Sequence, residues 1–259
     1  MKADTAQRLS RLTGEFYART SASFSATRST PWEGWKRILA AVQAEDERRC
    51  VKSLRALDLA CGNLRFERFL ADAWHPGQVE AFAFDACDEL AMADSVIGPK
   101  VHYRHLDIVA ELASGRDLAS SLAITDCDLC VCFGFMHHLP LLEQRSQVLR
   151  ALVACARPEA VIAVSFWQLS RSERLLRKAC ETTEAVAEKL GLDDLGTGDY
   201  LLGWQDRHDV VRYCHDFSEA EIDELSTAVS PYAAEIARFS ADGATNNLNC
   251  YLLLRRLPR

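Results

Sequence analysis

Three aspartates stand at or just after the ends of three apolar runs in this sequence, and a tight turn follows the first run. They are Asp58, Asp85 and Asp107, and the turn contains Gly62. In a parallel sheet the carboxyl ends of neighbouring strands meet at one edge, so these carboxylates are expected to lie together. Carboxylates at such an edge can accept hydrogen bonds from ribose hydroxyls and an adenine amino group. The spacing therefore predicts a site for an adenosine-containing ligand.

The turn after the first run discriminates between two classes of cofactor. A dinucleotide requires the pattern G-x-G-x-x-G, because glycines let the backbone approach a pyrophosphate closely. The corresponding residues here are Ala60, Gly62 and Arg65, so one glycine of three is present. Asp58 would also repel a pyrophosphate, whereas it would attract the sulfonium and amino groups of S-adenosylmethionine. The residues favour S-adenosylmethionine; the alternative is an ordinary strand-turn-helix unit without a ligand.

Each residue at this edge has a distinct expected task. Asp85 can accept hydrogen bonds from both ribose hydroxyls, and Asp107 can accept one from adenine while Ile108 contacts the ring. Backbone N–H groups at the start of helix 64–73 and the guanidinium of Arg28 can hold a carboxylate of the cofactor or of the substrate. The structural alternatives are a helix cap for each aspartate and a surface position for Arg28.

The elements that must position these residues alternate between strand and helix. We predict strands at 54–60, 79–85, 100–105, 128–133 and 160–167, with helices at 64–73, 87–95, 141–155 and 171–190. This alternation indicates right-handed βαβ units and an α/β fold with a parallel sheet and helices on both faces. Outside this core we predict helices at 4–20 and 32–49 around a hydroxyl-rich loop at 21–30, a glycine-rich loop at 191–200, a helix at 218–229, and a hairpin of strands 232–239 and 248–255.

Composition limits the class of protein. The 259 residues carry a net charge of −7, with 49% hydrophobic and 26% charged residues. Such a chain has no overall attraction to phosphate backbones, so a nucleic-acid acceptor would need a local basic patch or a partner protein. The sequence shows no membrane span or signal peptide, which predicts a cytoplasmic protein without membrane contact. Most of the ten cysteines lie in apolar runs, and we expect Cys127 and Cys130 to point to opposite faces of a strand, without a metal.

Over residues 53–167 the chain resembles the class I S-adenosylmethionine-dependent methyltransferases. The resemblance rests on Asp58 to Gly62, Asp85, Asp107 and the segment 133–138. It implies a Rossmann-like, mostly parallel seven-stranded sheet with an antiparallel C-terminal hairpin. Ala60 and Leu64 stand at two of the usual glycine positions, and we expect Ala60 to have ordinary backbone angles. The predicted cofactor site comprises Arg28, Trp32, Asp58, Ala60, Gly62, Asn63, Asp85, Ala86, Asp107, Ile108 and Phe133.

A narrower set of motifs is similar to the tRNA wobble-uridine methyltransferases that esterify 5-carboxymethyluridine. It comprises Phe24-Ser25-Ala26-Thr27-Arg28 with Pro31-Trp32, His137-His138, Phe166-Trp167, and the segment from Arg212-Tyr213-Cys214-His215 to Glu221. Cys214 replaces an aromatic residue of that family. The resemblance implies O-methylation of a tRNA and a small zinc-ribbon activator protein. His137, Trp167, Tyr213 and His215 are the candidates for the substrate pocket, and we assign no catalytic residue.

These observations predict one methyltransferase domain over 1–259. Its parts are an N-terminal helical cap at 1–49, the cofactor-binding core at 53–167, a helix and lid at 168–217, and a C-terminal helix and hairpin at 218–259. A small-molecule methyltransferase is the first alternative, favoured by the acidic composition. A second alternative is a scaffold that binds S-adenosylmethionine without catalysis.

Overall fold

A computed structural model of the chain describes residues 1–47, 53–75, 77–91, 100–205 and 207–258. Seven strands form one sheet in the order β3-β2-β1-β4-β5-β9-β8. They are β1 (Ser53–Leu59), β2 (Gln78–Asp85), β3 (Val101–His105), β4 (Cys127–Cys132), β5 (Ala156–Trp167), β8 (Ala233–Ala241) and β9 (Asn249–Arg256). The first five are parallel, and β9 runs antiparallel to both β5 and β8. The predicted fold class, including the C-terminal hairpin, is confirmed.

Helices cover both faces of this sheet because the strands are apolar on both sides. Along β1, Leu57 and Leu59 belong to one core cluster, whereas Leu54 and Ala56 belong to another. The first cluster is covered mainly by α5 (Ile108–Ala113), α6 (Leu118–Leu122), α7 (Leu142–Cys155) and α9 (Glu219–Val229), and the second by α2 (Glu33–Glu47) and α3 (Arg65–Ala73). The strand order reverses at β1, which pairs with β2 and β4. A ligand crevice is expected at the carboxyl ends of strands around this reversal.

One segment that the sequence predicts as a loop is mostly helical, and the predicted lid contains strands that the sequence did not predict. Helix α1 (Ala3–Ala26) continues through most of the expected loop at 21–30. The Ser and Thr hydroxyl groups of α1 are compatible with a helix because they can donate to backbone carbonyl oxygens one turn back. Thr20 Oγ1, for example, donates to the Phe16 carbonyl oxygen at 2.7 Å. The expected lid contains a separate two-stranded sheet of β6 (Asp199–Trp204) and β7 (Arg207–His215). The loop prediction at 21–30 is wrong over residues 21–26, whereas residues 191–198 of the predicted glycine-rich loop contain no helix or strand, as expected.

Other boundaries agree within a few residues. The predicted helix at 171–190 is α8 (Glu173–Val186), and the one at 87–95 begins as α4 (Asp88–Ala91), with the rest outside the described residues. The sequence did not predict α5 and α6, two short helices between β3 and β4. Among the described residues, no helix is both long and apolar enough to cross a membrane.

Cys127 and Cys130 differ from the prediction. The pairing of β4 with β5 is irregular between Cys127 and Leu129, so strict alternation fails there. Both cysteines are fully buried in the same core cluster, and hydrogen bonding between their thiols lowers the pKa of Cys127. The expectation that they point to opposite faces is wrong because of this irregularity.

Candidate functional site

The turn that follows β1 keeps the backbone of a glycine-rich turn although it contains one glycine. Ala60, Gly62 and Leu64 have positive φ angles of 61°, 56° and 57°. A residue with a Cβ in this left-handed region costs roughly 1–2 kcal/mol. The expectation of ordinary backbone angles at Ala60 is therefore wrong. Strain of this kind persists where the surrounding structure fixes the backbone, and it is concentrated at functional sites.

The turn and the end of β2 hold each other through Asp85. The Asp85 Oδ2 atom accepts a hydrogen bond from the Gly62 backbone N–H at 2.8 Å, and Oδ1 accepts one from the Cys87 N–H at 2.8 Å. Burial raises the pKa of this carboxyl, and the backbone donors act against that rise. Since a carboxylate has about four acceptor positions, each oxygen retains capacity for one ribose hydroxyl.

The N-terminal segment lies directly over the same turn. The Asn63 side-chain amide donates to Ser25 Oγ and to the Arg28 carbonyl oxygen, both at 3.1 Å. Arg65 donates from Nη1 to the Thr30 carbonyl oxygen at 2.9 Å. Residues 25–30 are thus bonded to residues 63–65, so the structure brings Arg28 and Asn63 together as neighbours of the turn.

The third strand end is positioned next to the second. The Leu106 N–H donates to the Asp85 carbonyl oxygen at 2.9 Å. Asp107 is exposed and caps α5, with Oδ1 accepting from the Ala110 N–H at 2.9 Å. The helix-cap role is therefore real, and Oδ2 remains for an adenine amino group. Ile108 is 3% exposed and packs in the core, whereas Ala86 is exposed.

Two predicted aromatic contacts have different surroundings. The ring of Phe133 lies within core packing, with centroids 5.9 Å from Trp35 and 5.0 Å from Phe66. The Trp32 ring lies over the end of β4, where a Cβ at Gly134 would be 3.2 Å from it. Trp32 therefore borders the strand ends, and Phe133 supports them from within the core.

Asp58 faces a second buried acid. Asp58 is 4% exposed and Glu67, on the first turn of α3, is 2% exposed. Burial and the Glu67 carboxylate raise the pKa of Asp58 well above its usual range. Burial also raises the pKa of Glu67 to about 7. The two carboxyl groups are close enough for each to shift the pKa of the other.

A buried guanidinium occupies the space between α1 and β7. Arg212 is 6% exposed, and its Nε and Nη1 atoms have no hydrogen-bond partner among the described residues. Its guanidinium carbon lies 4.6 Å from the ring centroid of Phe16 and 5.4 Å from that of Phe24. Arg28 stacks on Phe24 at 3.4 Å, and burial lowers its pKa to about 10, so it remains charged at neutral pH. Two cations therefore share one aromatic ring.

His137 and His138 form one wall beside these cations. His138 Nδ1 and the Tyr213 carbonyl oxygen are 2.7 Å apart, and Tyr17 Oη and His138 Nε2 are 2.9 Å apart. Burial lowers the pKa of His138 to about 3, so the neutral ring donates from Nδ1 and accepts at Nε2 from Tyr17. His137 is also buried, its pKa is lowered by burial, and its Nδ1 has no partner among the described residues. Its ring lies 4.7 Å from that of Trp167.

The predicted pocket residues Tyr213 and His215 lie in an internal network. Tyr213 Oη donates to Asp199 Oδ1 at 2.6 Å. His215 Nδ1 lies 2.8 Å from the same oxygen, and its Nε2 lies 2.7 Å from Glu221 Oε1. These bonds anchor the β6-β7 hairpin to α9. Because the polar side-chain atoms of both residues are engaged, they supply no free group to a substrate.

His137, His138 and Cys214 could be considered as a metal site, since their ligand atoms lie within 4.8 Å of one another. Both nitrogens of His138 are already engaged, and Arg212 hydrogen-bonds with Cys214. A metal ion there would lie beside the positive charge of a fixed guanidinium. The cluster therefore does not suit a metal.

Sequence reasoning assigned no role to Arg212, Glu67 or Tyr17. Arg212 stood only at the start of the motif segment from Arg212 to Glu221, and the strand Arg207–His215 that makes it a buried residue was not predicted. Glu67 could have been found because it falls among Phe66, Phe69 and Leu70, three residues that are buried on α3.

No family model and no curated protein matches this sequence. Solved structures do share its fold. A SAM-dependent methyltransferase from Methanosarcina mazei superposes with a TM-score of 0.56 at 16% identity, covering 81% of this chain and 95% of that one. An S-adenosylmethionine-dependent methyltransferase from Clostridium acetobutylicum gives 0.57 at 12% identity, covering 90% and 95%. CalS10, an amino pentose methyltransferase from Micromonospora echinaspora, gives 0.54 at 14% identity, covering 88% and 93%.

Proposed function

We propose that this protein is an S-adenosylmethionine-dependent methyltransferase whose acceptor carries a carboxylate, and that it methylates an oxygen of that group. The observation that carries the proposal is the buried guanidinium of Arg212, whose Nε and Nη1 have no hydrogen-bond partner among the described residues and which shares the ring of Phe24 with Arg28. A buried charge without a partner is costly. An anionic ligand that supplies the partner would compensate that cost.

The cofactor is supported by the strand ends. Asp85 has free acceptor positions beside the Gly62 N–H, and the turn keeps a glycine-like backbone. The solved structures with this fold carry the name of methyltransferases that use this cofactor. When bound, S-adenosylmethionine supplies a methyl group on a cationic sulfur.

The reaction requires little from the protein beyond positioning the acceptor and the cofactor. A carboxylate is ionised at neutral pH, so no residue has to remove a proton from it. Arg212 and His137 Nδ1 are oriented groups that can hold its oxygens, and the surrounding rings exclude water. Holding the acceptor oxygen in line with the methyl group is the main contribution of these residues.

A carboxymethyl-type wobble uridine of tRNA is the acceptor that the sequence motifs favour, with a small zinc-ribbon protein as activator. The net charge of −7 means that RNA binding would depend on that partner or a local patch. A small-molecule acid is the second candidate. The depth of Arg212 favours it, because a small ligand can be enclosed between α1 and the β6-β7 hairpin.

Transfer of a labelled methyl group tests the proposal. The protein is incubated with labelled S-adenosylmethionine and either total tRNA or a panel of small carboxylic acids. We expect label in a base-labile ester, and about tenfold or greater loss of kcat/KM for Arg212→Met. Arg212→Lys is the matched control that keeps the charge. Label in a base-stable product, or activity of Arg212→Met equal to that of the wild type, would overturn the proposal that the acceptor is a carboxylate. Cofactor binding without turnover would indicate a scaffold.

A further inference from the structure

Glu67 occupies a position where an apolar residue would serve the fold better. It lies on α3 between Phe66 and Leu70, which are 3% and 1% exposed. Both of its carboxylate oxygens, and Oδ1 of Asp58, have no hydrogen-bond partner among the described residues. Since buried acids without donors destabilise a fold, this pair calls for a role other than packing.

The pair lies beneath the residues that receive the cofactor. Asp58 precedes Ala60 by two residues, and Glu67 follows Leu64 by three, so the two acids enclose the strained turn from both ends. Both groups also sense the charge of Asp85, whose side chain is bonded to Gly62. Any cation bound at the turn therefore lies near three carboxyl groups.

Two carboxyl groups can hydrogen-bond to each other only if one carries a proton. The groups around the pair act on its protonation in both directions. Asp85 of β2 favours the protonated pair, and so does burial, whereas Arg68 of α3 and the Glu67 backbone favour loss of the proton. Nearby thiols are uncharged, because burial raises the pKa of Cys61 and Cys132. Without a bound cation, the pair is thus arranged to stay protonated.

We propose that Asp58 and Glu67 stay protonated beneath the turn and release one proton when the cationic cofactor binds, so that cofactor affinity rises with pH. This inference rests on the proposed function. The proton passes from Glu67 to solvent, the pair gains one negative charge, and the sulfonium and amino groups of the cofactor supply the compensating charge. Glu67 is a positioning residue here, since it acts through Asp58 and the turn.

Calorimetric titration of the full chain with S-adenosylmethionine between pH 6 and pH 8 tests this. The pKa of Glu67 is about 7. If cofactor binding requires loss of this proton, the affinity for S-adenosylmethionine should be up to about tenfold higher at pH 8 than at pH 6. At pH 7, titrations in two buffers with different heats of ionisation should show release of about half a proton.

Glu67→Gln is the matched variant, because its amide has the same shape and donates permanently to Asp58. This variant should lose both the pH dependence of cofactor affinity and the proton release that comes from Glu67. The difference between wild type and variant also removes any contribution from titration of the cofactor itself. Wild-type affinity that is flat with pH, or dependence retained in Glu67→Gln, would overturn the proposal. If Glu67→Gln does not fold, titration of the wild type with S-adenosylhomocysteine is the control, because this ligand keeps the amino group but lacks the sulfonium charge; equal proton release with the two ligands would overturn the proposal. Absence of S-adenosylmethionine binding at every pH would instead overturn the proposed function.

Discussion

The Asp85 carboxylate accepts a hydrogen bond from the Gly62 backbone N–H at 2.8 Å. This bond joins the end of β2 to the turn after β1, so the two parts of the candidate adenosine site are fixed relative to each other. The Cys87 N–H holds the second oxygen at 2.8 Å. Asp85 is therefore positioned before any ligand arrives, which lowers the entropic cost of binding.

Asp85→Asn should weaken S-adenosylmethionine binding by about 1–3 kcal/mol, since one oxygen becomes an amide that cannot accept from a ribose hydroxyl or from a backbone N–H. Isothermal titration calorimetry measures this directly. Asp117→Asn is the control, because Asp117 caps α6 through a comparable bond to the Ser120 N–H at 2.9 Å. An unchanged affinity in Asp85→Asn would remove the ribose role of Asp85.

Ala60→Gly should raise the free energy of unfolding by up to about 1 kcal/mol, because Ala60 has a φ of 61° that glycine adopts without strain. Ala40→Gly, at an exposed position within α2, should lower it by about 1 kcal/mol. Urea denaturation of both variants makes the comparison. If both substitutions destabilise equally, the turn is not strained.

The free energy of unfolding should fall as pH rises from about 5 to 7. The pKa of Glu67 is raised from 4.5 to about 7 by burial, so the folded chain holds a proton that the unfolded chain has released. This contribution is complete below pH 4.5 and is lost as pH passes 7, with a magnitude on the order of 2–3 kcal/mol. Glu67→Gln should show a smaller decline over this window in urea denaturation. Parallel pH profiles for the two proteins would contradict the raised pKa.

Gly34→Ala should destabilise the protein by about 1–3 kcal/mol or more. A Cβ there would lie 2.3 Å from the ring of Tyr251, which is fully buried. Gly14→Ala in α1 has no atom within 4 Å of its new Cβ, and should stabilise the helix by about 0.5–1 kcal/mol. Thermal unfolding of the two variants should therefore give shifts of opposite sign. A neutral Gly34→Ala would show that α2 can move away from β9.

The strands were predictable because each is a short apolar run with a polar end. The run ending at Asp85 is an example, and its pairing with β1 follows from the alternation of strand and helix. The helix boundary at Ala26 was not predictable in this way. The Ser and Thr residues before it favour loops locally, and packing against the β6-β7 hairpin favours the helix.

The site was predictable only where strand ends determine it. Asp58 and Asp85 could be placed from the sequence, whereas Arg212 depends on the β6-β7 hairpin, which the sequence did not predict. The proximity of Asp58 to Glu67 depends on the rotation of α3 about its axis. A helical wheel predicts the rotation of a helix about its axis only when the buried face of that helix is wholly apolar.

A crystal structure with S-adenosylhomocysteine bound tests the central claim most directly. We expect the ribose hydroxyls within hydrogen-bond distance of the Asp85 carboxylate, the adenine beside Asp107, and the amino acid part at the turn of Ala60 to Leu64. A ligand bound elsewhere on the protein, or no ligand at these strand ends at saturating concentration, would contradict the account.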